Sequence, residues 1–205
     1  MVGVSYWDHR KPVTRQRAVD TSEVARTAGR ILDAGGLRAL TVRAVAKELD
    51  VAAASLYSRL SSADDILDLA LDDVLGRDAT LQAALDKAPL RELLLAYFRH
   101  LVRHPWACQV IAMRAPRGPN YLRLSERMCV LLMEQGSPDP LGDAYALSNF
   151  VIGSATTAPM ADQERVSAVD EEIAPAYAAL HVGHRVDPEE FVSSGLDALL
   201  RGRSS

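Results

Sequence analysis

The sequence has only two cysteines, Cys108 and Cys129, and they form no C-x-x-C pair. That argues against a disulfide framework or a cysteine-rich zinc site; two thiols in apolar helical surroundings fit a reducing compartment. No G-x-S-x-G elbow, H-E-x-x-H helix or glycine-rich phosphate loop occurs. The chain is therefore not expected to be an enzyme, and no catalytic set or cofactor is expected. His181 and His184 lie near Asp187 without a firmly placed third ligand, so no metal is expected there either. No apolar stretch of the secretory kind follows Trp7-Asp8-His9-Arg10-Lys11. The apolar stretch from Ala144 to Ala161 is broken by Ser148, Asn149, Ser154, Thr156, Thr157 and Pro159. A membrane span needs roughly 20 predominantly apolar residues, so this helix reads as buried between protein partners. The expected location is the cytoplasm, away from the membrane.

What is present describes a folded globular protein. Hydrophobic residues make up 48% and charged residues 24% of 205, enough for one medium domain or a small one joined to a larger one. The net charge of −4 is unevenly divided. Residues 1–61 hold 10 Lys and Arg against 6 Asp and Glu, whereas residues 62–205 hold 13 against 21. A basic head on an acidic body suits a protein that presents one end to a polyanion.

The head divides into short helices. Arg10, Lys11, Arg15 and Arg17 surround Pro12, as in a solvated tail or a basic arm lying on DNA phosphates or in the minor groove. Asp20 and Glu23 have capping-box spacing, and Val24, Thr27, Ala28, Ile31 and Leu32 follow at helical spacing. Gly35-Gly36 ends that helix. Thr41 is a good N-cap for a second helix with Val42, Val45, Ala46 and Leu49 as its stripe; Asp50 tolerates the left-handed turn that stops it. Ala52 to Leu60 reads as a third helix, with Ala53, Leu56 and Leu60 inward, Ser55, Ser58 and Arg59 outward, and Tyr57 at the edge. Two short helices joined by a tight turn are the helix-turn-helix pattern, whose second helix enters the major groove. Ser62, followed by Asp64 and Asp65, opens a fourth helix.

These residues resemble the tetracycline-repressor (TetR) family. The resemblance rests on Thr41-Val42-Arg43-Ala44-Val45-Ala46-Lys47-Glu48-Leu49-Asp50-Val51, then Leu56-Tyr57, then Ser62-Ala63-Asp64-Asp65-Ile66-Leu67. It continues through His104-Pro105-Trp106, Arg114-Ala115-Pro116, Tyr121-Leu122 and Ser194-Gly195-Leu196-Asp197-Ala198-Leu199-Leu200. Three positions depart from the family pattern. Ala52-Ala53 replaces a capping Ser-Pro, which removes roughly 1 kcal/mol of helix stability. Ala63 replaces a lysine that opens the fourth helix. Ile111 stands where the tetracycline-binding members have a magnesium-ligating histidine, and isoleucine cannot ligate a metal.

The resemblance implies an all-α fold with a three-helix helix-turn-helix DNA-binding domain (20–66), preceded by a basic arm (1–19). A helical ligand-binding and dimerisation domain (67–205) follows. It implies that Thr41, Arg43, Ser55, Tyr57, Ser58 and Arg59, with Arg10 and Lys11 of the arm, contact double-stranded operator DNA. Arginine is the best guanine reader among them. It also implies a homodimer through about Asp143–Thr157 and Glu189–Leu200. Leu90 to His104, Pro119 to Gln135, Gly142 to Pro159 and Asp187 to Arg203 read as the body helices, punctuated by prolines. Tyr97, His100, His104, Trp106, Met113, Tyr121, Met128 and Asn149 are candidates to line a pocket for a small, mainly apolar effector. The expected function is a ligand-responsive repressor; the alternative is a helical small-molecule-binding protein or enzyme whose head does not bind DNA.

Overall fold

In a computed structural model, residues 5–9, 19–161, 163, 167–184 and 187–202 are described. They form helices and, among the described residues, no strand. The head consists of α1 (Thr21–Ala39), α2 (Val42–Glu48) and α3 (Ala53–Leu56). The remaining helices are α4 (Ala63–Arg77), α5 (Ala79–Lys87), α6 (Leu90–Arg103), α7 (Pro105–Met113), α8 (Pro119–Glu134), α9 (Pro140–Thr157), α10 (Pro175–His181) and α11 (Pro188–Arg201). None of the described helices is long and apolar enough to cross a membrane.

Local chemistry sets most helix ends. The Asp20 carboxylate accepts from Ser22 N–H at 2.9 Å, which starts α1. The helix breaks at Gly36, whose φ of 64° lies in the left-handed region that favours glycine. Thr41 caps α2 by accepting from Ala44 N–H at 2.9 Å, and Asp50, at φ 53°, makes the left-handed turn after it. Five body helices, α7 to α11, open with proline in the first turn, where its missing N–H costs nothing.

The third helix is shorter than its sequence pattern predicts. It closes after one turn, at Leu56, and residues 57–59 continue as a turn. Ala52 provides no side-chain cap, and Ser58 Oγ donates to the Ser55 carbonyl at 2.7 Å. Both features draw the backbone away from regular helix.

Packing centres on α4 and α6. Helix α1 lies along α4, close enough that a methyl group on Gly29 would sit 3.2 Å from Val74 Cγ1. Helix α6 is buried on most sides, at Leu90, Leu93, Leu94, Leu95, Tyr97, Phe98, His100 and Leu101. It meets α5, α9 and α11. Salt bridges from Arg91 to Asp197 (2.5 Å) and from Arg99 to Glu189 fasten α11 to α6.

A polar chain joins head to body. Asp33 of α1 accepts from His104 Nδ1 and Trp106 Nε1, each at 2.7 Å. The His104 ring lies 4.9 Å from that of His100, whose Nδ1 is 2.7 Å from Asp78 Oδ2. Arg103 also donates to Asp78, at 2.6 Å. Burial lowers the His100 pKa from 6.5 to about 4 against the pull of Asp78, so the ring is neutral and donates through Nδ1. Burial opposes the charge on Asp78, but Leu81 N–H, His100 and Arg103 outweigh it and leave its pKa lowered.

Both depressed pKa values give stability the same sign. The unfolded chain takes up a proton at His100 below about pH 6.5, and the folded chain does not until about pH 4. Stability is therefore full above pH 6.5 and falls between 6.5 and 4, by roughly 3 kcal/mol at most from this group. Loss of the Asp78 contribution follows at still lower pH. Urea midpoints measured from pH 7 to 4 should decline, and His100→Asn, whose amide can still donate to Asp78, should flatten that decline. An equal slope in both proteins would refute the assignment.

Candidate nucleic-acid interface and ligand cleft

The outer surface of α2 and α3 carries most of the predicted DNA-contacting residues. Arg43 is exposed on the first turn of α2 and, among the described residues, forms no ion pair. Thr41 is exposed, with its hydroxyl oxygen accepting the α2 capping bond. Ser55 and Ser58 are exposed, and Tyr57 is half exposed. Lys47, not anticipated as a contact, is exposed on the last turn of α2. Arg10 and Lys11 lie outside the described residues.

Arg59 departs from the expectation. It is 8% exposed, and its Nε and Nη1 have no hydrogen-bond partner among the described residues. Because α3 closes at Leu56, the turn that follows carries Arg59 inward beside Leu60 instead of continuing the outer helical face. A guanidinium held there does not present its fork to a base edge.

Residues 5–9 also depart from the picture of a solvated tail. Tyr6–Asp8 form a 3-10 turn seated on α4, with Tyr6 buried. Ser5 Oγ and Tyr6 N–H donate to Asp68 at 3.1 and 2.8 Å, and His9 Nε2 lies 3.1 Å from Asp65. The sequence carried no local sign of this docking, because the partners are more than fifty residues away.

Asp68 is one of three buried carboxylates, with Asp65 and Asp72, along α4. Arg114, at the end of α7, spans Asp68 in two-pronged fashion (2.9 and 3.1 Å) and reaches Asp64 at 2.8 Å. Its hydrogen bond to Asp68 raises its pKa above the ordinary value. Asp72 accepts from Asn120 N–H at 2.8 Å and from Tyr121 N–H at 3.1 Å, capping the start of α8. Burial raises the Asp72 pKa although those bonds pull it down. Asp65 takes Ser61 N–H at the start of α4 itself.

Beyond this seam lies a cleft of about 400 Å³ between the end of α7, α8 and α9. Tyr121, Met128 and Asn149 line it, as expected. The other five candidates do not. Tyr97, His100 and Trp106 are buried in the core, His104 is committed to Asp33, and Met113 points outward at 59% exposure. The reason for Tyr97 and His100 is the central position of α6, which turns both side chains into contacts with neighbouring helices. Ile111, Arg114, Arg117, Tyr145 and Ser148 also line it and carry no local sequence sign that sets them apart from core or surface residues. Among the described residues no cluster of three His, Cys, Asp or Glu could hold a metal.

A helix-turn-helix head carried on an all-helical body, with a cleft behind the helix that joins them, defines the architecture of one-component regulators. Residues 87–202 match the family model for the Tetracyclin repressor-like, C-terminal domain, and the chain belongs to that family. An HTH-type transcriptional regulator of Saccharopolyspora erythraea is 35% identical over 153 residues, 71% of this chain and 61% of that protein. An HTH-type transcriptional repressor of Streptomyces coeruleorubidus is 33% identical over 162 residues, 73% of this chain and 58% of that one. The chain thus spans about three fifths of the length of these curated relatives. Among solved structures, the TetR family protein ActR of Streptomyces coelicolor, in complex with (S)-DNPA, matches at TM-score 0.71 and 27% identity. That match covers 94% of this chain and 97% of ActR.

The seam between α4 and α8 can be tested directly. A methyl group added at Gly118 would lie 2.2 Å from Asp72 Oδ1, so Gly118→Ala must push the start of α8 away from α4. The expected cost is about 1–3 kcal/mol, seen as a lowered urea midpoint; an unchanged midpoint would show that Asp72 does not hold α8 in place.

Proposed function

We propose that this chain is a ligand-responsive transcriptional repressor that binds palindromic operator DNA as a homodimer and is released by a small, mainly apolar effector. The observation that carries this reading is the placement of α4. It begins directly behind the α2–α3 head, and its buried carboxylates hold the Arg114–Tyr121 wall of the cleft. An occupant that moves that wall moves α4, and with it the head. Coupling of this kind is reciprocal, so operator DNA weakens effector binding by the factor that effector weakens operator binding.

In this reading residues 20–66 form the DNA-binding unit and residues 67–205 the effector and dimer unit. Arg43 reads a base edge or phosphate, Thr41 and Tyr57 contact the backbone, and Ser55 and Ser58 face the groove. Two heads on one dimer must sit about 34–36 Å apart, one turn of DNA. The dimer face is the outer side of α9 and α11. Ala146, Gly153 and Thr156 are exposed on α9, and Phe191, Ala198 and Leu199 on α11. Space above Gly153 is open, with nothing within 4 Å of an added methyl group. A paired apolar and small-residue face suits close approach of a second copy. The protein would act in the cytoplasm, where its free cysteines stay reduced.

Purified protein should bind the DNA flanking its own gene tightly at low salt and far more weakly at higher salt, as counterion release requires. Arg43→Ala should weaken that binding about 10- to 100-fold, the loss of one good base contact, with melting and dimer state unchanged. Binding that is weak and indifferent to sequence, or unaffected by Arg43→Ala, would overturn the assignment.

The dimer is tested separately. Gly153→Arg places a charge where the second copy is to sit, and should shift the protein to monomer in analytical ultracentrifugation while the helical content holds. A dimer of unchanged strength would locate the interface elsewhere.

A further inference from the structure

The chemistry of the cleft narrows its ligand, given the reading of that cleft as the effector site. We propose that it takes a planar aromatic molecule carrying an anionic group, with the aromatic part between α8 and α9 and the anion on Arg117.

The walls supply the first half of the argument. Ile111, Leu122, Met128 and Ile152 give a broad apolar lining, and about 400 Å³ is within the size range of small-molecule sites. Leu122, Leu141 and Tyr145 stay substantially exposed at its rim, which leaves apolar surface for a flat ring system to cover.

Charge supplies the second half. The lining contains two cations, Arg114 and Arg117, and no Asp or Glu. Arg114 is matched by Asp64 and Asp68. Arg117 is exposed, and its hydrogen bond to the Pro116 carbonyl, at 3.1 Å, leaves its charge unmatched; among the described residues it has no ion pair. It also borders a crevice lined by Trp7, Asp68 and Asp72, whose carboxylates are engaged by Arg114 and by the start of α8. Beside it, burial keeps the Tyr121 phenol protonated well into the alkaline range, although Tyr97 and Arg117 pull its pKa the other way. Tyr121 and Arg117 both line the cleft, and a protonated phenol and an unmatched guanidinium can each donate, which favours an acceptor with negative charge. A cationic ligand would face Arg117 with no carboxylate in the lining to match its own charge.

Two dyes with the same aryl skeleton isolate the charge. Anilinonaphthalene sulfonate is anionic and phenylnaphthylamine neutral, and both gain fluorescence in an apolar site. In the full chain, Arg117→Gln should weaken the sulfonate about tenfold, the value of a charge-assisted contact reduced by solvent. The same change should leave the neutral dye untouched. Ser148→Trp, which fills the cleft, should expel both. If Arg117→Gln alters neither dye while Ser148→Trp expels both, the anionic class is wrong and the cleft reading survives. If neither dye binds the native chain, or Ser148→Trp leaves both bound, the cleft is not a ligand site and the inference falls with it.

Discussion

A carboxylate taken out of water must be given its hydrogen bonds back, or it costs several kcal/mol. Helix α4 buries three of them, Asp65, Asp68 and Asp72, and finds most of their partners far along the chain. Asp68 draws in Arg114 and the turn at Tyr6, Asp72 the first N–H groups of α8, and Asp65 the imidazole of His9. Apolar packing would have fixed the distance between these elements. Directional bonds also fix their register, so α4 cannot slide along its neighbours without leaving a buried charge unsatisfied.

That constraint separates two kinds of connection between head and body. Asp33, with His104 and Trp106, ties α1 to the junction of α6 and α7, at the other end of α7 from Arg114. Helix α7 is thus tied at its start to α1 of the head and at its end to α4. A shift confined to the end of α7 and the start of α8 acts on the second of these ties and leaves the first as a pivot. The small size of the network matters, because an occupant of the cleft needs to disturb only the groups around Arg114 and Tyr121 to be felt at α4.

Legibility in the sequence followed the range of the interactions. Thr41, Gly36 and Asp50 were readable because a cap or a left-handed turn is decided within a few residues. The four long body helices were readable from periodicity and proline, although the prolines proved to start helices more often than to end them. The short helices α5, α7 and α10 were not separated in advance, being too brief to show a period. Arg59 was misplaced because helical spacing was extended past the residue where α3 stops. The docked turn at Tyr6 and the displacement of the cleft away from α6 depended on tertiary partners alone. A buried helix and a pocket-lining helix carry the same aromatic and methionine pattern.

The brevity of α3 has a thermodynamic consequence. Only one turn of the segment that would meet the groove is regular helix before a partner arrives. If an operator draws Tyr57 and Ser58 into continued helix, binding includes a small folding reaction. Such a reaction is exothermic and entropically opposed, and it makes the heat capacity change more negative than rigid docking would. Affinity would then decline with warming faster than contact area alone dictates, and the protein would hold its DNA as a function of temperature as well as of effector.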